Sequence, residues 1–431
     1  MAVLNITSRK ASKLAVAAAM MSIGAFGVSA FSAPAFAQDK EQKKYSKEFI
    51  EQFGPVNTAI SGENPDYAAL RVQAEAASAS VQTAADRFAY GNALSTLGRE
   101  LSDNALRRRG IEMMIDSGQM PEENLAQYMY AAGQLAFNME DYAAARAHIE
   151  KAVALGYEDP QAAQIIAATY AREGNAAGSL GVIAQQINNQ VGAGQVPERD
   201  LIVRALSVAY NNDMYEDATN FSILLAKHYP DKATWGDAIA IQRNYGDFSE
   251  TELLDLLRLQ HAAGAMRERR DYTDYIDAAN YRRLPAEVSV VADEGISAGL
   301  LDSNDTFVNE AVAEAKRRVP GLRADLGSLE RDARASGASA SLAVAAGEAF
   351  LNFGQNAKAA EMYELALTRP DVDRAVALNR LGIAQAKAGD YAAAQATLAK
   401  VEGNRAPIAK LWAAYAAQKA SGTTTAAASA S

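Results

Sequence analysis

From Ala126 to Tyr157 the apolar positions fall into two short stripes separated by a polar turn. Met129, Ala132, Gly133 and Ala136 recur at i, i+3, i+4 and i+7, the spacing of one face of a helix. Glu140 and Asp141 interrupt that stripe, and Ala145, Ile149 and Ala152 begin a second one. Neither predicted helix buries its stripe alone, so the second is expected to fold back on the first. Ala132 and Gly133 are small, which lets another helix approach closely there. Such a pair still leaves one apolar face open, and a neighbouring pair must cover it.

The same plan recurs along the chain. Asp66-Tyr67 repeats the turn Asp141-Tyr142, followed by Leu70, Ala74 and Ala77. Phe88, Gly91 and Leu94 open the next first helix, and Asn104 is placed to cap its partner. Ala163, Ile166, Ala167 and Tyr170 continue the series, with Ala167 lying 34 residues after Gly133. The Gly-rich stretch 188–200 reads as an insertion loop. Tyr215, Ala218 and Pro230 restore the pattern, and Trp235 opens a further unit whose turn is Gly246-Asp247-Phe248. Near the end, Gly347, Phe350, Ala359, Tyr363 and Ala366 match once more. Leu381-Gly382, Asp390-Tyr391, Ala394 and Leu398 match after them, Gly382 lying 35 residues after Gly347.

This spacing of small and aromatic residues resembles the tetratricopeptide repeat. Gly133, Ala145 and Ala152 stand at its small positions, Tyr142 at its turn aromatic and Ile149 at an apolar position of the second helix. The Trp, Leu and Tyr usual in its first helix are replaced here by Met129, Ala132 and Ala136. The resemblance covers most of the chain, and is to exported bacterial proteins built of such repeats. It implies an all-α fold: an α-solenoid of about ten helix pairs closed by a C-terminal capping helix. It implies an adaptor role and leaves the partner open, because one repeat architecture serves many partners.

The expected partition follows the pattern. Residues 46–269 form a first array. Residues 270–339 are degenerate, with one pair at Tyr272–Arg282 and Ala286–Ala298 and another at Phe307–Val319 and Leu322–Ala335, separated by Pro320. Residues 340–402 are repeats again, and 403–419 supply a capping helix with Trp412 and Tyr415. The tail, 420–431, is low in complexity and expected to be disordered.

Residues 1–37 read as a secretory signal. Arg9, Lys10 and Lys13 precede the 17-residue apolar run Leu14–Ala30, and Ala35 and Ala37 form a small-x-small cleavage site. Cleavage would leave Gln38 first, with a charged, frayed segment to residue 45 and no transmembrane segment behind it. The run is short for a membrane span. The periplasm is the expected destination, with full secretion the other possibility. The 431-residue chain has a net charge of −10, and the signal holds three of its basic residues and none of its acidic ones. So acidic a chain binds nucleic acid and anionic lipid poorly. It has no cysteine, which excludes disulfides, thiolate metal sites and a lipidated N-terminal Cys.

No catalytic constellation emerges, and no cofactor is expected. His148, His228 and His261 lack metal-ligand spacing. Neither a Gly-x-Ser-x-Gly elbow nor a Walker loop is present. Asp302-Ser303-Asn304-Asp305 lacks the Gly and Glu of a calcium loop and reads as a polar turn with a helix cap.

Binding is the remaining class. In such arrays the first helices line a concave groove, and positions off the packing stripe face it. These are Tyr130, Gln134, Phe137, Asn138 and Arg172, and further on Tyr210, Asn211, Arg243 and Asn244. Asn recurs at Asn138, Asn211, Asn244 and Asn352, either as a row that holds a peptide backbone or carboxylate or simply as left-handed helix ends. The expected function is a non-catalytic periplasmic scaffold for a protein or peptide. The alternative is a sensor or carrier of a small molecule, glycan or peptide fragment in the same groove.

Overall fold

The computed structural model describes residues 44–429, and among them every regular element is a helix. The signal segment 1–37 and most of the charged segment after it lie outside the described residues, as do the last two residues of the tail. The chain divides into two compact units, one reaching Asn189 and the other starting at Gln190. That division falls at neither boundary of the expected partition.

The N-terminal unit begins with α1 (Lys47–Ile60) and α2 (Tyr67–Ala76), followed by a short 3-10 turn. Helices α3 (Ala84–Glu100) and α4 (Asn104–Asp116) form the next pair, then α5 (Glu122–Asn138) and α6 (Tyr142–Ala154), then α7 (Pro160–Arg172) and α8 (Ala176–Gly192). Each helix from α3 to α7 packs on its neighbour in sequence. Aspartates start many of them: Asp66, Asp103, Asp141 and Asp159 each accept a hydrogen bond from a first-turn N–H. The cap of α4 is therefore Asp103, one residue before the expected Asn104.

Missing side chains set the helix spacing. A Cβ on Gly98 would stand 2.3 Å from the Arg107 amide nitrogen, and one on Gly110 2.3 Å from that of Ser95. Backbone therefore touches backbone between α3 and α4. In the next pair a Cβ on Gly133 would meet the Ile149 side chain at 2.4 Å. The expected small-residue crossing is thus present. Asp86, fully buried, ties the start of α1 to the start of α3 by accepting from the Ser46, Gln82 and Thr83 amides. Burial opposes its ionisation, but those bonds hold its carboxyl below the usual range.

The C-terminal unit continues with α9 (Arg199–Asn211), α10 (Tyr215–His228), α11 (Lys232–Tyr245) and α12 (Glu250–Ala262). Next come α13 (Arg269–Ala279), α14 (Pro285–Ser297) and α15 (Thr306–Arg334), then α16 (Ala340–Asn352) and α17 (Asn356–Leu367). Helices α18 (Arg374–Ala388), α19 (Tyr391–Leu398) and α20 (Ala406–Ser429) complete it. Three expectations change here. The insertion loop shrinks to 193–198, because α8 runs to Gly192 and α9 starts at Arg199. Pro320 does not separate a helix pair but sits inside the 29-residue α15. A proline there removes one helical hydrogen bond, and both halves are held by burial: Val308, Ala311 and Ala315 in one core cluster, Leu326 and Ala333 in another.

The third change concerns α20. The residue pattern ends this helix at 419 and has it cover the open face of the last pair. It runs on to Ser429 and packs on α18 and α19, but also on α10, α11 and α12. The unit is therefore a stack in sequence order whose end returns to its beginning. Ile408, Leu411, Trp412 and Ala416 make one fully buried stripe, and Ala409 and Ala414, to either side of it, are buried as well, more than a helix with one covered face would hide. The Trp412 indole donates to the Asp255 carbonyl at 2.9 Å, and the Tyr415 hydroxyl to the Ala262 carbonyl at 3.0 Å.

Beneath this closure lies a buried charge network. Arg258 on α12 is fully buried and donates to Glu287 on α14, to Asp255 and to Glu348 on α16. Arg380 pairs with Glu348, and Arg405 with Asp255. The Tyr275 hydroxyl donates to Glu287, and Asn379 donates to Asp255. Buried charges of this kind persist only when paired and hydrogen-bonded, and here the pairs join helices far apart in sequence.

Candidate binding cleft

In the N-terminal unit a cleft of about 190 Å³ opens between α3, α4 and α5 and the turn before α7. The tight α3–α4 crossing shapes one wall. Because the Gly98 backbone abuts Arg107, the Arg107 and Arg99 guanidinia both reach the same cleft. Arg99 pairs with Glu100 at 2.8 Å. Arg107 is half-buried and forms no ion pair with any described residue. Burial, and then the Arg99 charge, lower its pKa, so a nearby anion would be favoured. Its neighbour Arg108 is tied to Glu112 and Asp141. One member of the three-arginine run thus faces the cleft.

Part of the lining is aromatic. Tyr130 on α5 stacks on Tyr157, with ring centroids 4.5 Å apart. The Tyr130 hydroxyl is buried and makes no well-formed hydrogen bond. Burial, aided by the Asp159 carboxylate, pushes its phenol well above the usual tyrosine range. Asp159 is held in place because it also caps α7, accepting from the Gln161 amide at 2.7 Å. Asn92, Ser95, Gln127 and Gln134 add hydrogen-bonding groups to the rim. The cleft thus offers a cation, an anion, stacked rings and amides. It can hold a polar chain end or side chain.

Of the groove residues expected from spacing, Tyr130 and Gln134 line this cleft. Phe137 instead packs at the α5–α6 turn, its ring 5.8 Å from that of Tyr142. Asn138 and Arg172 are exposed at the ends of α5 and α7. The other four lie in the C-terminal unit. Tyr210 packs near Tyr245, and Asn211 donates to Ser207 at 3.3 Å. Arg243 is engaged by Asp274 and Asp271, and Asn244 is exposed. Within the N-terminal unit, then, the cleft brings together Tyr130 and Gln134 of the five expected there. These asparagines do not adopt the left-handed conformation. Positive φ falls two residues later, at Glu140 (62°) and Asp213 (54°). Asn352 is buried, and its carbonyl accepts from the Glu287 amide at 2.9 Å.

Arg107, Tyr157 and Asp159 join the cleft without a signal in the spacing. Three arginines in a row have the look of a solvated face, and Tyr157 and Asp159 fall in a turn, where helical spacing assigns no face.

No family model matches the chain, and no curated protein matches it. Among solved structures it is similar to "Structure of Naa15/Naa10 bound to HypK-THB", with a TM-score of 0.35 and 14% identity over 84% of this chain and 66% of that one. It is also similar to the pentatricopeptide repeat protein PPR10 from maize, with a TM-score of 0.23 and 13% identity over 88% of this chain and 63% of that one. The chain spans just under two thirds of the length of these proteins.

Proposed function

We propose that this protein is a non-catalytic, exported scaffold that holds a protein or peptide partner, and that the cleft at Arg107 and Tyr130 receives a polar side chain or chain terminus of that partner. The half-buried Arg107, without an acidic partner and lining the same cleft as the Tyr130–Tyr157 stack, carries this reading. An unpaired, half-buried guanidinium gains most from a carboxylate, which accepts two parallel hydrogen bonds. The cleft volume of about 190 Å³ also bears on the choice. Drug-sized ligands occupy pockets of about 300–1,000 Å³, so one residue of a longer chain suits it better than a whole small molecule. The net charge of −10 speaks against nucleic acid. Periplasmic destination is supported by the signal pattern of residues 1–37.

Affinity capture from envelope extract tests the reading. A stoichiometric partner should be retained by the native protein and lost with Arg107→Gln and with Tyr130→Ala, while both variants keep the native helical signal. Capture that is indifferent to both changes would refute the cleft as the binding site. N-terminal sequencing of the mature protein should begin at Gln38, and an intact N-terminus would refute export with cleavage.

A further inference from the structure

The C-terminal unit holds a second, larger cleft, of about 460 Å³, bordered by α14, α15, the α16–α17 turn and α18. Its volume lies within the range of small-molecule sites. Val291, Val319, Pro320, Leu351 and Phe353 make much of its surface apolar. Pro320 is the residue expected to break α15; it stands in the cleft wall instead.

The charge in this cleft is unbalanced. Lys316, Arg323 and Lys387 border it, with His261 beside them, against Glu287 as the single carboxylate. Glu287 is already occupied: both its oxygens accept from Arg258 at 2.8 Å, and Tyr275 donates to it as well. His261 pairs with Glu294 at 2.6 Å, and Lys316 with Asp293 at 3.6 Å. Two cations remain. Arg323 lies over the Phe353 ring, 5.2 Å from its centroid, and forms no ion pair with any described residue. Lys387, on the buried helix α18, likewise forms none. Burial lowers its pKa, against the pull of Glu287. The Ser289 hydroxyl in the same wall is buried without a hydrogen-bond partner.

An unpaired ammonium in an apolar wall is costly, and a bound anion offsets that cost. A bare inorganic anion would leave the apolar surface wet. We propose that this cleft binds a small amphipathic anion, a carboxylate joined to an apolar chain, with the carboxylate drawn to Lys387 and Arg323 and the chain laid along Phe353, Val291 and Val319. The site is separate from the Arg107 cleft and takes a different class of ligand, so either assignment can fail without the other.

Calorimetric titration of the full-length mature protein with decanoate, below its micellar concentration, tests the proposal. Decanoate should bind saturably at one site. Acetate, which lacks the chain, and decanol, which lacks the charge, should each bind at least about tenfold more weakly, the equivalent of 1.4 kcal/mol. Lys387→Met should weaken decanoate by about tenfold or more without lowering the unfolding midpoint, since it removes a charge from an apolar wall. If Lys387→Met does not fold, the exposed Arg323→Gln carries the same test with a smaller expected loss. Equal binding of decanol and decanoate, no binding of decanoate, or full affinity in a folded Lys387→Met protein would overturn the proposal. Arg107→Gln should leave decanoate binding unchanged, which separates this result from the outcome for the N-terminal cleft.

Discussion

Arg258 and Glu287 meet as a two-point pair: the arginine Nε donates to Oε1 and Nη2 to Oε2, both at 2.8 Å. The first residue belongs to α12 and the second to α14, and the arginine is fully buried. Taking both charges from water is costly, so the pair is not by itself a source of net stability. What it does is make those helices dependent on each other. Arg258→Met would leave Glu287, Asp255 and Glu348 short of a cation. The expected cost is about 3–5 kcal/mol. Both tryptophans of the chain, Trp235 and Trp412, lie in this unit, so their fluorescence during urea unfolding reports the change. An unchanged midpoint would show that the network is energetically idle.

The same pair sets an acid limit. Burial alone would raise the Glu287 carboxyl, but Arg258 holds it down to about 2, from an ordinary value of 4.5. A carboxyl lowered in the folded state stabilises above its unfolded pKa, and that contribution disappears as pH falls through the folded one. Stability of the C-terminal unit should therefore be steady on this account down to about pH 4.5 and fall from there towards pH 2. Glu348 on the neighbouring helix is also lowered, by Arg258 and Arg380 against its burial, and acts in the same direction. Fluorescence-monitored midpoints at pH 7, 4 and 3 should show the decline, with a shallower slope in Glu287→Gln. Equal slopes would remove Glu287 from the explanation.

The glycine crossings are not equivalent. At Gly110 an added methyl would meet the Ser95 nitrogen and the Gly91 carbonyl oxygen, both backbone atoms that cannot turn aside. Gly110→Ala is expected to cost about 1–3 kcal/mol by forcing α3 and α4 apart. At Gly133 the nearest obstacle is the Ile149 side chain and backbone comes no closer than 3.1 Å, at the Ala145 carbonyl oxygen, so Gly133→Ala should cost less. A methyl added at Gly181 in α8 would have nothing within 4 Å, and Gly181→Ala should stabilise by about 0.5–1 kcal/mol. Urea melts followed by circular dichroism should rank the three variants in that order. A different order would mean that the α3–α4 contact is softer than its distances indicate.

Helix α20 offers a direct test of closure. Removing the chain from Arg405 onward leaves Trp235 as the only tryptophan. In the whole protein Trp235 is 2% exposed, and its ring lies 5.9 Å from that of Tyr415. Its emission should move to longer wavelength in the truncated protein. Trp412→Ala should make a smaller change of the same kind and cost about 3–5 kcal/mol, the usual loss for a buried large aromatic. A helix that merely covered α18 and α19 would leave Trp235 undisturbed.

Only some of the candidate cleft was legible in the chain. Counting along α5 picks out Tyr130 and Gln134, since both lie on the face away from the packing stripe. The same counting chooses Arg243, which the structure ties to Asp274 on the next pair of helices. Helical spacing identifies a face but not what the neighbouring helix presents to it. Arg107 is masked by its two arginine neighbours. One of them is engaged by Glu112 on its own helix and by Asp141, the cap of α6, while the other is exposed.

Outside α15, the amino-acid sequence by itself determined the helices, their pairing in order and their small-residue crossings. Those depend on contacts between residues close along the chain: Gly133 against Ile149, Gly347 against Tyr363, Gly382 against Leu398, and aspartates capping the helices they precede. Such contacts leave a period that can be counted. The tertiary structure alone decided that Pro320 would lie inside one helix, that α20 would return to α12, and that Asp255 would meet Arg405 across 150 residues. A long-range contact of that kind carries no period. Its partners are fixed by the accumulated geometry of every helix between them, and that geometry exists only once the stack has formed.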